Sequence, residues 1–143
     1  MIRLEVSMVS ENKEKVSANN AEEISYTEIG KKLRKSDREQ FVVFHMDVRN
    51  NILSYEVVAI GSLSSALIEP REVFKAAILS NASRIILMHN HPSGDPDPSM
   101  DDIEITKRLQ KAGYLLNIPV IDHIIVSSTD MFSFAQNRML DKR

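Results

Sequence analysis

His89 and His91 stand two residues apart in HNHPSGDPDPSMDD, a stretch that follows directly on the apolar run RIILM. In an extended backbone, residues two apart project to the same side. Pro92 disfavours the α region for His91 and so helps to keep that residue extended. Two imidazoles on one side, at the end of a buried strand, form a half-site for zinc. A catalytic tetrahedral site adds a third protein ligand and leaves the fourth position to water. Gly94 and the two prolines Pro96 and Pro98 suit a tight, stiff loop, which helps a metal site to be held in place before the metal arrives.

The chain re-enters on Ser99-Met-Asp-Asp102. Ser-x-x-Asp opening a helix is fully explained without a metal, as an N-cap serine with the acid three residues on in a capping-box-like role. That explanation leaves unaccounted for two histidines at the end of an apolar strand. The two roles are compatible, because the first turn of a helix is a rigid place to present a carboxylate. His45 and His123 are each open to a role as a further ligand or as the partner of one; neither is assigned to the metal. A core hydrogen bond is the plainer reading for both, with Asp122 as a neighbour for His123. Asp95, Asp97 and Asp101 read as solvated loop acids, one of which could orient a ligand histidine.

These residues need a frame. MIRLEVSMV (1–9) alternates as a strand does, and the polar SENKEKVSANNAEE that follows reads as a mobile connection. AEEISYTEIGKKLRK (21–35) places Ile24, Ile29 and Leu33 on one helical stripe, with acids early and bases late. FVVFHMDV (41–48) and ILSYEVVAI (52–60), joined at Asn50-Asn51, predict a hairpin of two central strands. Gly61 and SLSSA break the pattern; Pro70 then opens a helix with Val73, Phe74, Ala77 and Ile78 as its apolar face. SRIILM predicts a strand buried on both faces. IEITKRLQKAGYLLN predicts a helix with Ile103, Ile105, Leu109 and Ala112 inward, stopping near Gly113. IPVIDHIIV (118–126) and MFSFA (131–135) complete the set. The fold class is α/β: a mixed sheet flanked by helices, with residues 1–20 as a strand or flexible arm and 21–143 as one domain.

A chain of 143 residues, 43% hydrophobic, can build one real core. No apolar run approaches the roughly 18 residues of a membrane span, and the N-terminus carries no apolar signal segment. Cysteine is absent, so a metal here must be held by His, Asp, Glu and water, and the composition suits a reducing cytoplasm. A net charge of −2 argues against strong binding of nucleic acid through its phosphates. KKLRKSDR (31–38) lacks interleaved aromatic residues to stack bases and reads as a solvated helix face.

His-x-His-Pro, six residues, then Ser-x-x-Asp resembles the signature of the JAB/MPN (JAMM) metalloproteases. The wording HNHPSGDPDPS, with PREVFK before it and DHIIV after it, resembles the RadC-like branch over roughly residues 36–135. The short chain is similar to members without an N-terminal helix-hairpin-helix module, found also in mobile elements. The resemblance implies a sandwich of the cytidine-deaminase-like kind. It implies Zn²⁺ held by His89, His91 and Asp102, Ser99 as hydroxyl donor to the reacting oxygen, and Glu39 as general base. Glu72 is the rival base, although a first-turn acid at a helix dipole explains it as well. The branch usually has His-Pro-Arg-Glu where this chain has Glu69-Pro70-Arg71-Glu72, which leaves any role of that histidine unsupported here.

The implied activity is zinc-dependent hydrolysis of a peptide or isopeptide bond in a protein or peptide substrate. The alternatives are a DNA-repair-associated metal-binding module or adaptor without hydrolytic activity, and a metal-dependent nuclease. Two-metal phosphoryl chemistry would want more carboxylates around the histidines. Partners in DNA repair or mobile elements follow from the resemblance alone. Specificity is expected in the 61–69 loop, and a homodimer could form at an exposed strand edge near 131–135.

Overall fold

In the computed structural model the described residues are 7–8, 16–17, 20–61 and 68–141. The SLSSA segment, most of the 61–69 loop and most of the expected strand over 1–9 therefore lie outside them. In chain order the elements are β1 (Ser7–Met8), β2 (Val16–Ser17), α1 (Ala21–Ser25), α2 (Glu28–Lys35), β3 (Gln40–Met46), β4 (Asn51–Ile60) and α3 (Pro70–Leu79). They continue with β5 (Arg84–Asn90), α4 (Met100–Leu116), β6 (Val120–Val126) and β7 (Met131–Ser133). The strands form one mixed sheet in the order β1-β4-β3-β5-β6-β7, with β2 also on β4. Among the described residues only β5 and β6 run parallel; the other pairs are antiparallel. Val16–Ser17, within the expected polar connection, pairs with β4, whose outer edge presents backbone groups that need partners.

β5 lies at the middle of the sheet, and its near-continuous apolar run is buried on both faces as expected. On one face Ile86 and Met88 join Val42, Phe44 and Met46 beneath Ile24, Ile29 and Leu33 of α1 and α2. On the other, Ile85 and Leu87 pack with Phe41, Val43, Val73, Phe74, Ile105 and Leu109 beneath α3 and α4. The arrangement is helices, sheet, helices, the sandwich expected. Parallel β5 and β6 need a crossover, and α4 supplies it. The C-terminal end of β5 and the N-terminus of α4 therefore meet at one corner, where the histidine turn lies.

Four local differences set the structure apart from these expectations. The single helix expected over 21–35 is two, because Thr27 accepts a hydrogen bond from Gly30 N and caps a new start after Tyr26. Within α2, Arg34 does not point to solvent: it donates to Ser127 O at 2.9 Å and Asp130 O at 3.0 Å and lies over the Tyr26 ring. In α3, Ile78 is exposed and Ala76 takes its place in the core. Finally, α4 continues past Gly113 to end at Asn117, whose φ of 58° is left-handed. Gly113 is required for a close approach: a Cβ there would lie 2.5 Å from Ile118 O and 3.2 Å from the Phe74 ring. Among the described residues, no helix is long and apolar enough to cross a membrane.

His45 is fully buried in β3. Ser54 Oγ donates to Ser80 Oγ at 3.0 Å and so accepts from His45 Nδ1 at 2.7 Å, while His45 Nε2 has no hydrogen-bond partner among the described residues. Burial pulls the His45 pKa down to about 4. Above the ordinary value of about 6.5 the ring is neutral folded or unfolded and contributes nothing. Between 6.5 and 4 only the unfolded chain takes up the proton, so stability falls as pH falls. Urea unfolding of wild type and His45→Gln across this window is expected to show an acid-side loss of about 3 kcal/mol in wild type beyond that of the variant. Equal pH slopes for the two proteins would refute it.

Candidate metal centre

β5 delivers His89 into the face covered by α3 and α4, where it stacks on Phe41 at 5.9 Å between ring centroids. His91 N donates to Val126 O at 2.9 Å, which keeps the strand direction for one residue past the ladder and brings the second ring to the same side. Gly94, with φ 97°, then reverses the chain and donates to His91 O at 3.1 Å. A left-handed residue is needed there, and glycine supplies it without steric cost.

The loop enters α4 through a complete capping box. Ser99 Oγ accepts from Asp102 N at 3.1 Å, and Asp102 Oδ2 accepts from Ser99 N at 2.8 Å. The box aims the Asp102 carboxylate at the histidines. His89 Nε2 lies 3.1 Å from Asp102 Oδ1, His91 Nε2 lies 3.1 Å from Asp102 Oδ2, and the two Nε2 atoms are 3.0 Å apart. Each residue offers one ligand atom, and the three lie within 4.8 Å of one another. His89 and Asp102 are buried and His91 is half-buried.

The outer nitrogens are held as firmly. His91 Nδ1 donates to the backbone carbonyl of Asp95 at 2.9 Å, so the loop acid that orients a histidine does so through its main chain. The Asp95 carboxylate instead accepts from Asp97 N. His89 Nδ1 lies 2.8 Å from His123 Nε2, and His123 Nδ1 lies 2.6 Å from Thr106 Oγ1. The expected Asp122–His123 side-chain partnership does not occur. The Asp122 carboxylate is tied to the backbone of His123 and Ala135 and to the Ser133 hydroxyl.

Burial works to raise the pKa of Asp102, but the imidazoles of His89 and His91 outweigh it and hold the carboxyl well below the usual range. The same contact with Asp102 raises His91, and Glu39 adds to that rise through its charge. Three electron-pair donors 3 Å apart require a cation among them, either a proton or a metal ion.

Glu39 lies just ahead of β3, next to the rung in which Phe41 pairs with His89. With Asp37, Arg38, Gly61 and Pro92 it lines a cleft of about 390 Å³ beside the histidine turn. Its backbone is clamped on both sides by Asn90, the middle residue of His-x-His. Asn90 Oδ1 accepts from Gln40 N at 2.8 Å, and Asn90 Nδ2 donates to Arg38 O at 2.9 Å. Glu72 is placed elsewhere, on α3, 3.6 Å from Lys75 Nζ and half exposed. A larger apolar groove of about 880 Å³, lined by Tyr114, Leu115, Val120 and Leu140, lies at the far end of α4 and contains none of these groups.

Asn90 and Thr106 are the two residues whose part was not apparent from sequence. An amide inside a strand buried on both faces is the signal for Asn90. For Thr106 it is the fourfold spacing from Asp102, which puts both on one helix face.

The family model described as RadC-like JAB domain matches residues 18–139. The UPF0758 protein of Methanosarcina mazei is 44% identical over 124 residues, covering 87% of this chain and 52% of the relative. That of Caldanaerobacter subterraneus is 53% identical over 94 residues, covering 66% of this chain and 40% of the relative. The chain spans about half the length of the curated relatives it matches.

Replacing Asn90 by alanine removes the clamp and strands the Gln40 N–H. Buried unsatisfied groups cost about 1–3 kcal/mol each, so Asn90→Ala is expected to lose about 2–3 kcal/mol in urea denaturation. A loss within error of zero would show that the clamp contributes nothing.

Proposed function

The chain belongs to the RadC-like JAB domain family, and from that footing we propose that it is a zinc-dependent hydrolase that cleaves a peptide or isopeptide bond. The observation that carries this reading is the convergence of two imidazole Nε2 atoms and one carboxylate at 3.0–3.1 Å, beside a cleft lined by Glu39. Tetrahedral zinc with bonds of about 2.0–2.1 Å needs ligand atoms about 3.3 Å apart; the two Nε2 atoms lie 3.0 Å apart and each lies 3.1 Å from one oxygen of Asp102, close to that spacing. Two nitrogens and one oxygen leave one position of four open, as a catalytic site requires.

His89, His91 and Asp102 would hold the ion. When bound, it supplies positive charge that polarises a carbonyl and acidifies water toward neutral pH. Glu39 removes the proton from the attacking water and returns it to the leaving nitrogen, a shuttle worth about 10²–10⁴ in rate. Ser99 accepts the Asp102 N–H through an oxygen lone pair, so its own O–H proton can be donated to the carbonyl oxygen as negative charge develops there. The clamp on Arg38 and Gln40 holds the Glu39 backbone in register with the histidines. Substrate would enter along the Asp37–Glu39 and Gly61 side of the cleft, an open wall that suits an extended peptide.

Elemental analysis tests the centre directly. Wild type incubated with limiting zinc and desalted is expected to retain about one zinc per chain, and His89→Ala and Asp102→Asn far less. Glu39→Gln is expected to keep the metal but to lose at least about a hundredfold in turnover on a panel of peptide and isopeptide substrates. Negligible zinc in every protein would overturn the reading. Full zinc with wild type as inactive as Glu39→Gln would favour an adaptor.

A further inference from the structure

His123 is fully buried, stacked on Phe134 at 4.8 Å between centroids and edge-on to Phe41 at 5.7 Å. Its ring makes two short polar contacts, Nε2 to His89 Nδ1 at 2.8 Å and Nδ1 to Thr106 Oγ1 at 2.6 Å. Thr106 Oγ1 is also 2.7 Å from the main-chain carbonyl of Asp102.

Each of these three contacts, at 2.6–2.8 Å, needs a proton between its electronegative atoms. The Asp102 carbonyl has none to give, so the single hydroxyl proton of Thr106 goes to it. The contact between Thr106 and His123 then needs a proton from His123 Nδ1. One proton remains to be placed between His123 Nε2 and His89 Nδ1. Putting it on His123 would make a fully buried ring a cation between two phenyl rings, which is costly. It therefore sits on His89 Nδ1, and His89 Nε2 keeps its lone pair for the cation, a proton held by its neighbours or a metal ion, that the cluster with Asp102 and His91 requires.

We propose that Thr106 and His123 are positioning residues, which fix His89 as the Nδ1–H tautomer before any metal arrives. The tautomers of both candidate ligands then trace back to backbone carbonyls: His91 directly to that of Asp95, His89 through two side chains to that of Asp102. Asp102 accordingly presents its carboxylate to the site and, through its main chain, orients the opposite ligand. The tautomer assignment stands on hydrogen bonding and burial; its consequence for metal affinity rests on the zinc reading above.

The test is long-range ¹H–¹⁵N NMR of histidine-labelled, metal-free protein above about pH 8.5, beyond the histidine range, together with zinc affinity by chelator competition. Wild type is expected to show His89 and His123 both as Nδ1–H. Thr106→Val, which fills the same space without an acceptor, is expected to shift His89 away from that form and to weaken zinc binding about 10–100-fold. Thr106→Ser is expected to restore both, which repair of packing alone would not do. His89 found as Nε2–H or as a mixture in wild type overturns the proposal, and that spectrum decides even if Thr106→Val does not fold. Unchanged tautomer and affinity in a folded Thr106→Val overturn it too. A wild type that is Nδ1–H but binds no zinc leaves the tautomer relay standing and removes the hydrolase reading instead.

Discussion

Three acceptor groups crowded to about 3 Å in a corner largely closed to water form the constraint on which the rest of this molecule depends. His89 Nε2, His91 Nε2 and the Asp102 carboxylate repel one another unless a cation lies among them. A flexible chain would simply move them apart. They stay together because each is anchored by a further partner: His89 by His123, His91 by the Asp95 carbonyl, and Asp102 by the Ser99 backbone. Burial removes the water that would otherwise screen the charge, which makes the geometry both costly to assemble and selective for a cation.

That anchoring depends on where the elements lie. β5 is central in the sheet, packed on both faces and hydrogen-bonded on both edges. α4 is the crossover that parallel strands demand, and its far end is fixed by the contact of Gly113 with Ile118 and Phe74. A helix set by its C-terminal packing presents its first turn at a defined height above the sheet. Thr106 and Asp102, four residues apart and both buried on α4, each touch the histidine cluster. The same corner holds the Glu39 segment, because Asn90 extends the order of β5 sideways to Arg38 and Gln40.

Much of this was legible in the sequence, for a physical reason. Strong periodicity and proline or glycine punctuation mark β3, β4, α3, β5, α4 and β6, and two histidines two apart on an extended segment state their common direction without further information. What sequence did not disclose is what depends on tertiary distance. Thr106 reads as an ordinary helix residue until β6 brings His123 to it. Asn90 reads as a spacer until the Ser36–Gln40 segment is laid alongside. Asp122 beside His123 suggested a partnership that strand geometry forbids, since neighbours in a strand point to opposite faces. The break at Thr27 escaped because the Ile24, Ile29, Leu33 stripe serves two short helices as well as one long one. Ile78 fitted the apolar stripe of α3, but Ala76 and Ala77 are the small residues that let that helix approach the sheet.

The capping and ligand explanations of Ser-x-x-Asp need not compete, because a carboxylate has two oxygens and four lone-pair directions. Asp102 Oδ2 accepts the Ser99 N–H, and Oδ1 faces His89. The cap stops the carboxylate rotating away, so the interaction that begins the helix also orients the group that completes the cluster. A consequence is that helix stability and cation binding are not separable at this residue. A substitution that keeps the charge but changes the reach loses the cap, and one that keeps the reach but removes the charge leaves the two imidazoles without their counter-charge. The same economy explains why the sequence here is so tightly spaced. Six residues between His-x-His-Pro and Ser-x-x-Asp are enough to turn the chain through Gly94 and place one helical turn over one strand end, and the geometry leaves little slack on either side.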